Sequence, residues 1–189
     1  MKKLCWMLTT LWLLVTLNLA PAQEQKSEPE KMQKPKFNPE LAKLYFLAGK
    51  FDVDLMTHKN PMGEGGPGKG QIHNHWGLDS MFLIMEHEDN GPMGNYKGHG
   101  VLGYDMMEKR YELWWYTNWG EISNYEGNFV GDTLVLVNEM AMPDGTPFKL
   151  KLMWYKEGKK VKFRILSDTG QGFSALLDCT YSPMKAGKK

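Results

Sequence analysis

The stretch GHGVLGYDMMEKRYELWWYTNWGEISNYEGNF, residues 98–129, decides the fold. It divides into three segments, 98–105, 110–119 and 122–129, in which apolar and polar residues alternate, and the breaks at 106–109 and 120–121 carry Glu, Lys and Gly, with Asp105 and Asn118 beside them. Side chains of a strand point to opposite faces with a period of two, so each segment reads as a half-buried strand. A parallel return needs a dozen or more connecting residues. The connections here are shorter, which makes consecutive strands antiparallel neighbours.

The same pattern continues in both directions. Phe51, Val53 and Leu55 alternate with Lys50, Asp52 and Asp54, and further strands are predicted at 71–76, 81–88, 133–139, 148–155, 161–167 and 173–181. No helical pattern is long enough for a crossover, so the class is all-β: an antiparallel barrel or sandwich, read as a single up-and-down meander of about ten strands closing on itself. Ahead of it, Asn38-Pro39-Glu40 is a helix start, with an N-cap acceptor, a proline at the first position and a carboxylate facing the helix dipole. Leu41, Leu44, Tyr45 and Leu47 fall on one face, which predicts a short N-terminal helix ending near Ala48-Gly49 and abutting one end of the barrel. Gly63 to Gly70 has the glycine density of a phosphate loop but lacks the Gly-Lys-Ser/Thr ending and a following helix, so it reads as a hairpin loop.

Residues 1–22 have the layout of a secretory signal peptide: Lys2 and Lys3, an apolar stretch from Leu4 to Val15, and a small-x-small site at Ala20-Pro21-Ala22. The apolar stretch is shorter than the roughly 20 residues that span a bilayer. An exported protein, periplasmic or extracellular, with no membrane insertion after cleavage is expected. Residues 23–37, rich in Glu, Lys, Gln and Pro, read as a disordered linker, 38–183 as the barrel domain and 184–189 as a disordered basic tail. Cleavage leaves 21 basic against 22 acidic residues, a formal charge of −1, with the lysines scattered among carboxylates; nothing points to nucleic acid. It also leaves Cys179 as the sole cysteine, on the apolar side of its strand, where a buried inert thiol is expected rather than a disulfide or a nucleophile.

Gly49-Lys-Phe51 sits where lipocalin-like proteins carry Gly-x-Trp at the start of the first strand. Trp76-Gly-Leu-Asp-Ser-Met-Phe-Leu83, Gly100-Val-Leu-Gly-Tyr-Asp105, the strand Tyr111 to Trp115 and the pair Glu126-Gly127 complete a set of motifs. Together they resemble an uncharacterised bacterial domain-of-unknown-function family, serial fifteen seventy-nine. The resemblance implies a lipocalin-like, calycin-type barrel and no established activity. Phe51 replaces the family's tryptophan and Met81 its arginine, so any role of that arginine is absent and a more apolar wall is expected. A related barrel group binds haem through a histidine near its last strand; the last histidine here is His99, so haem ligation by that route is unsupported.

Candidate site residues follow from assumed hairpin registers. With a two-residue turn within 77–80, Trp76 pairs with Met81, and His73, His75, Phe82, Ile84 and Glu86 share a face. Two imidazoles and a carboxylate are adequate ligands for zinc or copper, but such spacing is common, and a hydrogen-bonded or solvent-facing patch is the reading adopted; no metal and no cofactor is assigned. The 12 methionines outside the signal follow turns and strand alternation, so gap-filling explains them better than copper binding. With a tight turn at Trp119-Gly120, Tyr111, Leu113, Trp115 and Thr117 share a face with Ile122, Asn124, Glu126 and Asn128, a mixed surface suited to a cavity. His75, Tyr111, Trp115, Asn124 and Glu126 are therefore the predicted ligand-binding residues. Trp114, Tyr116, Tyr125 and Phe129 fall on the opposite face, which suggests that part of the exterior is covered by a helix or by another subunit, as in a homodimer.

The expected function is an exported, non-catalytic binder of a small apolar or aromatic molecule in the barrel interior. Two alternatives are a self-associating or envelope-protein-binding module, and a barrel enzyme using Glu126 and His75 as an acid/base pair. No catalytic motif is present.

Overall fold

A computed structural model of the chain describes residues 38–60, 63–141 and 145–184. The expected signal peptide, the linker and residues 185–189 lie outside the described residues. Ten strands form one closed antiparallel meander: β1 (Gly49–Thr57), β2 (Gly66–Gly77), β3 (Phe82–Gly91), β4 (Gly94–Asp105), β5 (Arg110–Thr117), β6 (Ile122–Val130), β7 (Thr133–Ala141), β8 (Pro147–Glu157), β9 (Lys160–Asp168) and β10 (Ser174–Pro183), with β1 closing on β10. Closure pairs every strand on both sides, so no strand edge is left to template aggregation. Met184, read as the first residue of the tail, donates its N–H to the Lys50 carbonyl at 2.9 Å and extends the β1–β10 seam. Among the described residues no helix is long and apolar enough to cross a membrane.

One expectation is corrected here. Gly66 to Gly70 is the first half of β2 rather than loop. A Cβ on Gly70 would lie 2.4 Å from the Glu88 carbonyl oxygen, and one on Gly68 would lie 2.7 Å from Gly91 Cα. Strand β2 coils tightly over β3 at this point, and only glycine permits that approach. The glycine density reflects a sharply bent strand, not a phosphate cradle.

The N-terminal segment has two parts, an α-helix α1 (Pro39–Ala42) followed by a 3-10 turn (Lys43–Leu47). Asn38 caps it, its side-chain oxygen accepting the Glu40 N–H at 2.9 Å, an interaction that stabilises such a start by about 1 kcal/mol. Leu41, Leu44 and Leu47 are buried in the barrel core, whereas Tyr45 leaves that face and packs edge-on against Trp76. The buried Asn74 side chain on β2 donates to the Leu47 carbonyl at 2.8 Å and ties the end of this segment to the wall. Tyr111 on β5 does the same for its start, its hydroxyl donating to the Glu40 carbonyl at 2.8 Å.

Inside the barrel, the half next to this plug is filled. Trp154 stacks on Phe163 at 4.6 Å, and the row continues through Tyr181 to Phe51. Tyr104, Tyr111, Phe129 and Phe46 form a second run of edge contacts that reaches the N-terminal segment. Leu83, Leu102, Leu134 and Leu136 between them have no measurable exposure. Burial of this kind contributes about 25 cal/mol per Å² of apolar surface and supplies the packing that replaces a disulfide.

Candidate functional site

The alternation of burial fixes which side chains enter the barrel. Along β3, Leu83 and Met85 point inward, so His87 and Asp89 do too, and their side chains are only 10% and 14% exposed. His87 Nε2 and Asp89 Oδ2 are 2.7 Å apart. On the neighbouring strand Tyr96 faces the same interior, its ring edge-on to His87 at 5.8 Å. Trp115 of β5 donates its indole N–H to the Tyr96 hydroxyl oxygen at 2.6 Å. These residues ring the end of the barrel away from the plug.

Trp115 lies flat across β4 because β4 carries Gly98 and Gly100 beneath it. A Cβ on Gly98 would be 2.2 Å from Trp115 Cζ2, and one on Gly100 would be 2.4 Å from Cε3. The glycines are thus the slot for the indole. Trp119, in the β5–β6 loop, packs edge-on to Tyr96 at 5.3 Å. That loop is pinned to β4 by Asn118, whose side-chain oxygen accepts the Lys97 N–H at 2.8 Å. At the same end, a cleft of about 420 Å³ lies among the connecting segments, lined by Thr57, Asn60, Gly63, Glu64, Pro92, Met93 and Trp119; of the aromatic residues just described it takes in only Trp119, which packs on Tyr96.

Burial pushes the Tyr96 phenol well above its ordinary value and that of Tyr125, also inward, up to about 12. Both keep their protons at neutral pH and act as hydrogen-bonding groups, not as bases. Tyr96 accepts from Trp115, and among the described residues its own proton is used in no hydrogen bond. Cys179 is buried, and burial raises its thiol far beyond the thiolate range, as an inert cysteine requires. Among the described residues the arrangement offers hydrogen-bonding groups and aromatic faces, with Tyr96, Tyr125 and Cys179 all held protonated at neutral pH.

Of the five predicted site residues, two face inward. Trp115 belongs to the ring just described, and Tyr111 is locked in the core under α1 by its hydrogen bonds to Glu40. Asn124 and Glu126 face outward, contrary to expectation, Asn124 opposite Trp114 and Glu126 in an ion pair with Arg110 at 2.8 Å. Tyr125 and Phe129 correspondingly face inward, while Trp114 and Tyr116 remain exposed on the outside. The cause is one residue of register. The β5–β6 connection is a three-residue loop with Gly120 at φ +81°, Tyr116 pairs with Ile122, and a shift of one residue exchanges the faces of a strand. The β2–β3 turn is two residues longer than expected, with Gly77 opposite Phe82; an even shift preserves the shared face of His73, His75 and Glu86, but that face is the exterior.

His75 on β2 and Glu126 on β6 are thus separated by four strand spacings, about 19 Å, around a convex surface. They share no substrate position and cannot act as an acid/base pair on one molecule. His87, Asp89 and Tyr96 were not among the predicted site residues: β3 is apolar on both faces, Phe82 and Ile84 against Leu83 and Met85, so alternation alone does not say which set enters the barrel, and Asp89 lies beyond the strand predicted to end at residue 88. A wider groove of about 920 Å³ runs along the outside of β1, β10 and β9. Several of its charges pair with one another: Asp178 receives Arg164 at 2.6 Å and contacts His58 at 2.7 Å, and Lys162 pairs with Glu157 at 3.3 Å. Burial alone would raise the Asp178 carboxyl, yet these partners outweigh it and hold the group low.

Comparison with known proteins yields fold and family. Among solved structures, the crystal structure of Rv2717c from M. tuberculosis matches with a TM-score of 0.60 and 14% identity, covering 79% of this chain and 100% of that one. A redesigned β-barrel matches at a TM-score of 0.40 and 13% identity, covering 80% and 100%. No curated protein matches. The first likeness concerns the barrel alone. A family model described as a protein of unknown function, DUF1579, matches residues 38–162, most of the described barrel, and the chain therefore belongs to the DUF1579 family.

Proposed function

We propose that the protein is an exported, non-catalytic carrier of a small aromatic or apolar molecule bearing one hydrogen-bonding group, held at the open end of the barrel. The observation that supports this most is the inward ring of His87, Asp89, Tyr96 and Trp115 at the border of a filled apolar core, joined through the Tyr96–Trp119 contact to the cleft at that end. Within the ring the Tyr96 proton is the group left without a partner among the described residues, and a buried donor costs stability unless it is paired, which a ligand acceptor would do. Volumes of roughly 300–1,000 Å³ are typical of small-molecule sites, and this cavity falls in that range. Tyr96 offers the proton, and the His87–Asp89 pair a further polar contact. The rings of Trp115 and Trp119 supply apolar area. Export rests on the composition of residues 1–22.

Titrating the untagged protein with aromatic acids, fatty acids and isoprenoids while following tryptophan emission tests the reading. Saturable binding is expected for at least one class. Trp115→Ala should weaken it about tenfold or more, as loss of a buried aromatic contact does, and Trp114→Ala, on the exterior, should leave it unchanged. Equal effects of the two substitutions would place the ligand elsewhere.

A further inference from the structure

Two imidazoles and a carboxylate converge on the outer face of the β2–β3 ladder. His73 and His75, two residues apart on β2, share that face, and His73 stands directly opposite Glu86 on β3. His73 Nδ1 is 3.4 Å from Glu86 Oε2, and the His73 and His75 rings are 5.1 Å apart with an interplanar angle of 33°. One donor atom from each of the three side chains lies within 4.8 Å of the other two. On the next strand the exposed His99 is directly opposite Glu86, one strand spacing beyond the carboxylate.

A tetrahedral zinc ion with bonds of about 2.0–2.1 Å holds its donors about 3.4 Å apart. The three donors therefore need to close by little more than about 1 Å, which rotation of half-exposed side chains supplies within their staggered wells. A simple ion pair between His73 and Glu86 is worth at most about 1 kcal/mol at this exposure and gives His75 no role. A cation uses all three groups, and two nitrogens with one oxygen suit a borderline divalent ion. The β2–β3 pairing fixes this geometry, which the sequence alone could not do.

We propose that His73, His75 and Glu86 form a surface site for a borderline divalent metal ion, zinc or copper(II), with a remaining coordination position open to water or to His99. The site faces away from the barrel interior and is independent of the ring at the open end. Binding there ties β2 to β3 from the outside.

Calorimetric titration of zinc into the untagged, metal-stripped protein tests it. One equivalent is expected to bind; His75→Ala and Glu86→Gln should each weaken binding about tenfold or more, with circular dichroism unchanged because both side chains are surface groups. His58→Ala, outside the cluster, should bind as the parent does. Absence of zinc binding by the parent protein, or undiminished binding by both cluster variants, would overturn the proposal.

Discussion

Trp154→Ala is expected to lower the free energy of unfolding by about 3–5 kcal/mol, the range for removing a large aromatic from a packed core. Trp154 is 2% exposed, sits on β8 between Leu134 and Phe163 on the neighbouring strands, and stacks on Phe163 with an interplanar angle of 18°. It begins the aromatic row that crosses β9 and β10 to Phe51. Truncation leaves a cavity that rigid strands on both sides cannot collapse into, so the lost transfer energy and the cavity add. The indole N–H lacks a well-formed hydrogen bond, so little polar interaction is forfeited and the loss is one of packing. Urea unfolding provides the measurement. Trp114→Ala, on a residue 45% exposed, should stay within about 0.5 kcal/mol of the parent. A similar loss for both would mean that the filled half of the barrel is not where stability resides.

Gly98→Val should have two effects at once. The added side chain occupies the space of the Trp115 ring, 2.2 Å from Cζ2 at its first carbon. Overpacking of this kind costs about 1–3 kcal/mol. Trp115 is the movable partner, so it leaves its slot, the hydrogen bond to Tyr96 breaks, and the emission of the indole shifts towards that of an exposed tryptophan. Ligand affinity should fall about as far as in Trp115→Ala. In a Trp115→Ala background the valine has space, so its stability penalty should largely disappear; a double-mutant cycle reads that coupling directly. For stability, Gly63→Ala, where an added Cβ meets nothing within 4 Å, is the control and should be nearly neutral. An additive cycle would show that Trp115 and Gly98 do not share the slot.

Much of the barrel was legible in the chain because period-two alternation and short connections leave few topologies for ten strands. The N-terminal plug was legible too, through Asn38-Pro39-Glu40 and the leucines behind it. The site was harder to read because faces depend on single residues. At Trp119-Gly120 a three-residue loop in place of a two-residue turn moved Asn124 and Glu126 outside and Tyr125 and Phe129 inside. At residues 77–82 the error was even, so His73, His75 and Glu86 still share a face, but it is the outer face and not the interior expected for His75. Gly66 to Gly70 misled in a different way, since glycines that look like a loop serve a strand so tightly coiled that no side chain fits. His87 and Asp89 were not legible as interior groups because β3 is apolar on both faces, Phe82 and Ile84 against Leu83 and Met85, and only closure of the barrel decides which set points in. Asn74, which joins the wall to Leu47, could not be recognised without the tertiary contact that satisfies it.

Mapping backbone amide shifts by NMR while a bound compound from the titration panel is added tests the central claim most directly. The expected perturbations cluster at Thr57, at His87 to Tyr96, and at Trp115 to Ser123, the residues that surround the open end. The amides of Val53, Leu102, Leu134, Trp154 and Val161, in the filled half, should hardly move. Perturbations concentrated in that filled half, or spread along the outer groove of β1, β10 and β9 with none at the open end, would contradict a ligand site formed by His87, Asp89, Tyr96 and Trp115.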